Sequence, residues 1–291
     1  MPHPTRTLLT GLHFGEGPRW HDGRLWFSDF QAHAVSSVSL AGDVRVELAI
    51  DDQPSGLGWL PDGSLLVVAM TKRQLLRRAP DGSVSVHADL SGVATFHAND
   101  MVVDAHGRAY VGNFGFDLAA AMARGGIEGV MADPGLADLA LVHPDGRVEV
   151  AARGLAFPNG SVITPDGQTL IVGETFGARL TAFDIAADGS LSNRRVWAPT
   201  GPRIPDGIAL DADGCIWIAN PMAPECVRIA EGGAVVEVIA TDQPCYACML
   251  GGDDGRTLFM LTAPALTDPP APAPAGNILV ATVAVEHAGR P

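Results

Sequence analysis

Short stretches in which apolar and polar residues alternate recur along the chain, and each stretch contains a turn built on glycine. Asp-Gly and related pairs supply the positive φ of a tight hairpin turn, and alternation with period two is typical of a β-strand with one buried face. The repeated phrase therefore predicts one β-hairpin per repeat. Its copies are RWHDGRLWFSD, GWLPDGSLLVVAM, VVDAHGRAYVGN, VITPDGQTLIVGE, ALDADGCIWIAN and LGGDDGRTLFMLT.

The turn glycines of these copies follow one another at intervals of 40 to 60 residues. They are Gly23, Gly63, Gly107, Gly167, Gly214 and Gly255. A second series of turns falls between them, at Gly42, Gly82, Gly146, Gly189 and Gly232. Two hairpins per repeat give the four strands of a propeller blade. We therefore predict an all-β fold, a six-bladed β-propeller with four-stranded blades around a central channel, as a single domain over residues 1–291.

Three segments lie outside this regular pattern. The Ala- and Met-rich residues 117–135 lengthen the third interval and predict a helical turn or a flap over one end of the channel, with a disordered insert as the alternative. The Pro/Ala-rich residues 263–276 cannot pair as a central strand and predict an exposed loop before the last strand. The N-terminal segment TRTLLT is predicted to complete the last blade, because a propeller joins its two chain ends.

Composition excludes several classes of function. The formal charge of −14 argues against nucleic acid or an anionic membrane as partner. Lys72 is the one lysine, and no GxxxxGK[ST] phosphate-binding loop is present. Because neither a signal peptide nor a membrane helix can be recognised, we expect a cytoplasmic protein. Cys245 and Cys248 form a CxxC without a partner pair, and we interpret the cysteines as buried small apolar residues.

Four polar residues precede the predicted innermost strands in related phrases. They are Glu16 in FGEGPRW, Asn99 in FHANDMVVD, Asn159 in FPNGSVITPDG and Asp206 in IPDGIALDADG. Equivalent places in a closed ring point at the axis, so these carboxylate and amide oxygens are predicted to converge. Such a group is costly to desolvate without a cation, and hard oxygen ligands favour Ca²⁺, with Mg²⁺ or Mn²⁺ as alternatives. The competing interpretation is that the Asn and Asp residues only form turns.

The motifs EGPRW, HAND, FPNG and PDGIALDADGCIW, in this order, resemble the SMP-30/gluconolactonase/luciferin-regenerating enzyme family over nearly the whole chain. The resemblance implies a six-bladed propeller with a divalent cation in its channel and, in many members, lactone hydrolysis. It implies Glu16, Asn159 and Asp206 as metal ligands, Asn99 as a substrate contact or fourth ligand, and Asp206 also as general base, with metal-activated water as the alternative. Ca²⁺ is the expected ion, with Zn²⁺, Mn²⁺, Mg²⁺ or Fe²⁺ as alternatives.

One position departs from the family pattern. Members that act on sugar lactones often carry an arginine two residues before the Asn of the second motif, where this chain has His97. His97 is expected either to contact the substrate or only to line the channel. With the apolar 117–135 insert, this substitution predicts a small lactone with fewer hydroxyl groups than a sugar lactone.

Two other functions are compatible with the same residues. The same site could polarise a P=O group, as in a phosphotriesterase, or the propeller could bind calcium or a ligand without turnover. Glu174 and Asn113 are expected to support the inner ring only. The sequence does not specify the oligomeric state.

Overall fold

Within residues 4–264 and 273–289, which the computed structural model describes, the chain forms 24 strands and one α-helix. In chain order they are β1 (Arg6–Leu12), β2 (Gly15–His21), β3 (Arg24–Asp29), β4 (Ala34–Val38), β5 (Val44–Ala49), β6 (Pro54–Trp59), β7 (Leu65–Ala69), β8 (Gln74–Arg78), β9 (Val84–Asp89), β10 (Ala98–Val103), β11 (Ala109–Asn113), α1 (Leu118–Ala132), β12 (Ala137–Val142), β13 (Val148–Leu155), β14 (Pro158–Ile163), β15 (Thr169–Glu174), β16 (Arg179–Ile185), β17 (Leu191–Pro199), β18 (Ile208–Leu210), β19 (Ile216–Asn220), β20 (Glu225–Ile229), β21 (Val235–Ala240), β22 (Cys245–Gly251), β23 (Thr257–Thr262) and β24 (Gly276–Thr282). A 3₁₀ turn spans Thr175–Gly177.

The strands form six antiparallel sheets of four, which confirms the predicted six-bladed β-propeller. Blades 1 to 5 each use four consecutive strands, beginning with β2, β6, β10, β14 and β18 on the inside. Blade 6 has the order β22-β23-β24-β1. The first strand of the chain therefore closes the ring as the outer strand of the last blade, as predicted, with Arg6 opposite Val280 and Leu12 opposite Gly276.

The glycines of both predicted turn series adopt positive φ, between 72° and 93°. At Gly167, for example, the N–H donates to Thr164 O across the turn between β14 and β15. A left-handed conformation is costly for other residue types, so these glycines fix where each hairpin turns. Because the turns set the register, they also fix which end of the channel receives the start of each inner strand.

The hydrophobic core lies between neighbouring blades. Leu66, Met101 and Val111 pack together between blades 2 and 3, and Trp217 packs with Leu258 between blades 5 and 6. The faces of adjacent sheets interdigitate as in sheet-on-sheet packing. Cys226, Cys245 and Cys248 are buried in this core and Cys215 is half-buried. All four are free thiols.

The 117–135 insert forms α1, so its predicted helical character is confirmed. Asp117 caps the helix by accepting from Ala120 N at 2.9 Å, and Gly126 interrupts it with φ 60°. The apolar side of α1 is anchored by Val130, which packs against Phe157, Phe176 and Ile204. The helix therefore lies beside the start of the inner strands of blades 4 and 5.

Residues 265–272 of the predicted 263–276 loop lie outside the described residues, and the strand predicted to follow is β24. None of the helices in the described ranges has the length and apolar character needed to span a membrane.

Candidate active site in the channel

Glu16, Asn99, Asn159 and Asp206 lie at the same end of the channel, in blades 1, 3, 4 and 5. Three of them are the second residue of their inner strand, and Asp206 lies two residues before β18. All four are at least nine-tenths buried. The structure therefore brings together the four residues that sequence spacing had placed in equivalent positions.

Two further residues complete a ring of six, and sequence analysis did not single them out. In blade 2 the second residue of the inner strand is Ser55, which donates from its hydroxyl to Asn99 Oδ1 at 3.2 Å. In blade 6 the corresponding residue is Tyr246, because Gly207 N donates to Tyr246 O as Gly160 N donates to Asp206 O. We refer to Glu16, Ser55, Asn99, Asn159, Asp206 and Tyr246 as the ring.

A β-bulge follows the ring residue in the first four blades, where the register with the second strand shifts. The shifts lie between Glu16 and Arg19, Pro54 and Leu57, Ala98 and Met101, and Pro158 and Ser161. A bulge breaks the period of two and re-aims a side chain, and bulges are common beside active sites. This is why the direction of each ring side chain could not be read from strand alternation alone.

The amides of the ring belong to one hydrogen-bonded chain. Asn99 Nδ2 donates to Asn159 Oδ1 at 3.2 Å, and Asn159 Nδ2 donates to Thr175 Oγ1 at 3.1 Å. The Thr175 hydroxyl in turn donates to Pro205 O at 2.8 Å, directly before Asp206. Because each amide has a partner on both sides, the two asparagines are held in fixed orientations without any external group.

The two ring carboxylates are electrostatically strained. Burial, followed by the charges of Asp206 and Asp100, raises the pKa of Glu16 well above its ordinary value. Burial and the charge of Asp100 raise the pKa of Asp206, although a hydrogen bond from Asn159 opposes the shift. Carboxylates kept from water beside like charges disfavour ionisation, so this part of the channel favours a positive charge.

Asp100 is a third buried carboxylate that sequence analysis passed over. In blades 1, 2, 4 and 5 the ring residue is followed by glycine, and in blade 3 by Asp100. At Gly56 and Gly160 a Cβ would lie within 2.5 Å of backbone nitrogen in the next blade, so those positions exclude side chains. Asp100 is 3% exposed and its Oδ1 has no hydrogen-bond partner among the described residues. The presence of an aspartate where other blades have glycine after the ring residue was the sequence signal that could have identified Asp100.

Arg19 lies deeper in the channel, three residues beyond Glu16. Its side chain is buried and reaches from blade 1 to blade 3, where it donates to Met101 O at 2.5 Å. It also donates to Pro18 O at 2.7 Å. Burial raises the pKa of Asp100, and the nearby Arg19 charge acts in the opposite direction. Arg19 therefore offsets part of the negative charge without pairing directly with the ring.

The donor set at this end of the channel fits a divalent cation. Glu16, Asp100 and Asp206 contribute three formal negative charges and Arg19 one positive charge, which leaves −2. The oxygens of two carboxylates and two amides are the hard ligands that Ca²⁺ and Mg²⁺ take. Residues 4–264 and 273–289 contain no group of three or more His, Cys, Asp or Glu side chains close enough to hold a metal ion. Any cation here thus depends on the amides as well as the carboxylates.

Glu174 supports the ring from one layer outside. Its carboxylate is fully buried and accepts from Ala156 N at 2.8 Å, just before Phe157 and Asn159. Burial acts to raise the pKa of Glu174, but hydrogen bonds from Arg179, Thr181 and Ala156 outweigh it and lower the pKa. The predicted supporting role of Asn113 has a counterpart in its contacts, since Asn113 Oδ1 accepts from Gly115 N at 2.9 Å.

We expect Glu174→Gln to lower the free energy of unfolding by about 2–4 kcal/mol at neutral pH, since it leaves charged partners of a buried carboxylate unpaired. A carboxylate with a lowered pKa stabilises the fold above its unfolded pKa, and this stability is lost as pH falls through the folded pKa. The difference from wild type should therefore shrink in acid. Urea unfolding at several pH values measures it, with the exposed Glu149→Gln as control. A difference that stays constant with pH would contradict the assignment.

Comparison with known proteins supports the motif analysis. Residues 14–264 match the model of the SMP-30/Gluconolactonase/LRE-like region. The chain belongs to this family. Pentonolactonase XacC of Haloferax volcanii is 30% identical over 279 residues, which cover 89% of this chain and 84% of that protein.

Solved structures of the family share the fold. A luciferin-regenerating enzyme superposes with a TM-score of 0.82 at 18% identity, covering 98% of this chain and 97% of that one. A calcium-binding protein, regucalcin, from Agrobacterium tumefaciens superposes with a TM-score of 0.80 at 21% identity, covering 100% and 97%. The fold of the chain therefore agrees with the family that its sequence motifs resemble.

Proposed function

We propose that the protein is a metal-dependent lactonase that opens the ester bond of a small lactone. The observation that carries the proposal is the convergence of four buried ring residues, Glu16, Asn99, Asn159 and Asp206, whose two carboxylates have raised pKa values. Its family membership and its 30% identity to a pentonolactonase favour a carboxylic ester over a phosphotriester as substrate.

Glu16, Asn159 and Asp206 would hold the cation, with Asn99 as a fourth ligand or a substrate contact, and Ca²⁺ is the ion we favour. Such an ion would polarise the lactone carbonyl as a Lewis acid and stabilise the negative charge that develops on its oxygen. The hydrogen-bonded chain from Ser55 to Thr175 keeps both amides in place before the substrate arrives. Preorganised ligands cost little reorganisation when the reaction occurs.

Hydrolysis adds water across the ester bond of the lactone and yields a hydroxy acid. We assign Asp206 as the general base. Its carboxylate accepts a proton from the attacking water and returns it to the leaving oxygen of the lactone as the C–O bond breaks. His97, in blade 3, is assigned as a substrate contact beside Asn99. Burial lowers the pKa of His97, so the imidazole is neutral at physiological pH and can donate or accept one hydrogen bond.

The proposal is tested by titrating acid release from a panel of lactones before and after chelation, and again after Ca²⁺, Mn²⁺, Mg²⁺ or Zn²⁺ is restored. We expect chelation to lower the rate by about 10²-fold or more and one of the ions to restore it. Undiminished activity in chelator would contradict the metal dependence. Faster hydrolysis of a phosphotriester than of every lactone would favour the phosphotriesterase alternative, and calcium binding without any turnover would favour a binding protein.

A further inference from the structure

A second layer of residues surrounds the mouth of the channel, directly above the ring. Its members stand two residues before each ring position, where the chain enters the inner strands, and in blade 4 Phe157 reaches this place with a positive φ of 62°. They are Phe14, Gln53, His97, Phe157, Ile204 and Pro244. The layer is therefore what a substrate contacts next after the ring.

A repeated hydrogen bond adds an outer row to this layer. The backbone carbonyl of each layer residue in blades 1, 2, 3, 4 and 6 accepts from the residue that follows the second strand, at 2.9–3.2 Å. The donors are Phe30, Met70, Phe114, Thr175 and Ala263. We refer to the two rows together as the rim. Eight of its eleven side chains are apolar, of which Met70 is packed into the core between blades 2 and 3, so the rim contrasts with the polar ring beneath it.

The aromatic rings of the rim are in contact with one another. Phe14 stacks on Phe30 with centroids 5.2 Å apart, and Phe114 lies 4.6 Å from Phe157. The His97 imidazole joins this wall at 5.7 Å from Phe114. Phe30, His97 and Phe114 are only half-buried, so parts of their faces remain available. Helix α1 extends the apolar surface on the side of blades 3 to 5.

Few polar groups of the rim remain for a ligand. The Thr175 hydroxyl is used by Asn159 and Pro205 O. Within the described residues, the side chains of Gln53 and His97 make no hydrogen bond. The nearby charges are also engaged, since the Asp52 carboxylate accepts from Lys72 N and the Thr71 hydroxyl, and Arg73 donates to Ala94 O. Gln53 and His97 can thus recognise at most a small number of hydroxyl groups.

From this arrangement we infer the substrate class: a lactone that carries an apolar alkyl or aryl substituent. The substituent lies against the rim, while the ester group meets the polar side chains of the ring. The inference rests on the proposed lactonase function. A hydroxyl buried against phenylalanine without a partner is penalised, whereas each buried methylene is favourable. Among the described rim residues, a polyhydroxylated substituent would find only Gln53 and His97 as partners.

The test compares γ-lactones with methyl, ethyl, propyl and butyl substituents against an unsubstituted γ-lactone and a pentonolactone. We expect kcat/KM to rise about twofold to fourfold per added methylene until the rim is filled, the size of the transfer free energy of that group. The pentonolactone should react at least about tenfold more slowly than the ethyl lactone. A flat or falling series, or a preference for the pentonolactone, would overturn the inference. If no lactone is opened, the proposed function itself fails.

Two variants locate the effect at the rim. Phe30→Ala should flatten the dependence on chain length, and His97→Arg should raise relative activity on the pentonolactone because it brings additional donors. The affinities of non-hydrolysable alkyl-substituted γ-lactams, measured by competitive inhibition, should show the same dependence on alkyl chain length without turnover. His106→Arg, at an exposed hairpin turn, is the matched control and should change nothing. Unchanged selectivity in both rim variants, with the variants folded, would contradict the inference.

Discussion

Asp206→Asn is expected to lower kcat/KM for lactone hydrolysis by about 10²- to 10⁴-fold, the range typical of losing a general base. The substitution keeps the size of the side chain and its reach to Asn159, but it removes a negative charge and a proton acceptor. Because the carboxylate is buried with a raised pKa, the cation-free variant should be at least as stable as wild type. Lactone kinetics and thermal unfolding of the two proteins measure both effects.

The matched control is Asp22→Asn, at an exposed turn whose positive φ of 49° asparagine tolerates. It should leave both activity and stability unchanged. Hydrolysis by Asp206→Asn within about threefold of wild type would be inconsistent with the role assigned to Asp206, since a lost base costs far more.

Relative to a Glu16→Gln/Asp206→Asn variant, the stability of the cation-free protein is expected to fall as pH rises from acid to neutral, and a divalent cation should abolish this fall. Burial and mutual repulsion raise the folded-state pKa values of Glu16 and Asp206. Between the unfolded and folded pKa values the native state then binds more protons than the unfolded chain, so the free energy of unfolding decreases as pH increases. At neutral pH the repulsion remains until a cation offsets it.

Ca²⁺ at about 100 times its Kd should raise the free energy of unfolding by about 2.7 kcal/mol, because the ion is expected to bind only the native state. For a chain of this length the corresponding increase in Tm is about 4–5 °C. Scanning calorimetry in chelator and in Ca²⁺ across this pH range measures the effect. The variant Glu16→Gln/Asp206→Asn is the comparison, and an equal response to Ca²⁺ in that variant and in wild type would argue against binding at the ring.

The fold was predictable because its information is local. An Asp-Gly turn and the alternating residues beside it specify a hairpin without reference to the rest of the chain, and eleven turn glycines defined the hairpins. Blade equivalence then placed Glu16, Asn99, Asn159 and Asp206 at one end of the channel. Even the pairing of the N-terminal segment with β24 followed from the need to close a ring.

The site residues that could not be predicted from the sequence depend on side-chain directions and on contacts between blades. The bulges make Asn99 and Asp100 exceptions to strand alternation, so a period of two gave no reason to examine Asp100. Ser55 resembles an ordinary strand residue until its hydrogen bond to Asn99 is known. Arg19 joins blade 1 to Met101 of blade 3, a contact between residues 82 positions apart that no local pattern contains.

Closure of blade 6 has a consequence for biosynthesis. β1 leaves the ribosome before the other strands of the propeller, whereas its partner β24 follows about 270 residues later. At about 5–20 residues per second the early strand waits on the order of 15–50 s with an unpaired edge. In its sequence RTLLTGL the arginine charge and the glycine both oppose pairing with other nascent chains during that wait.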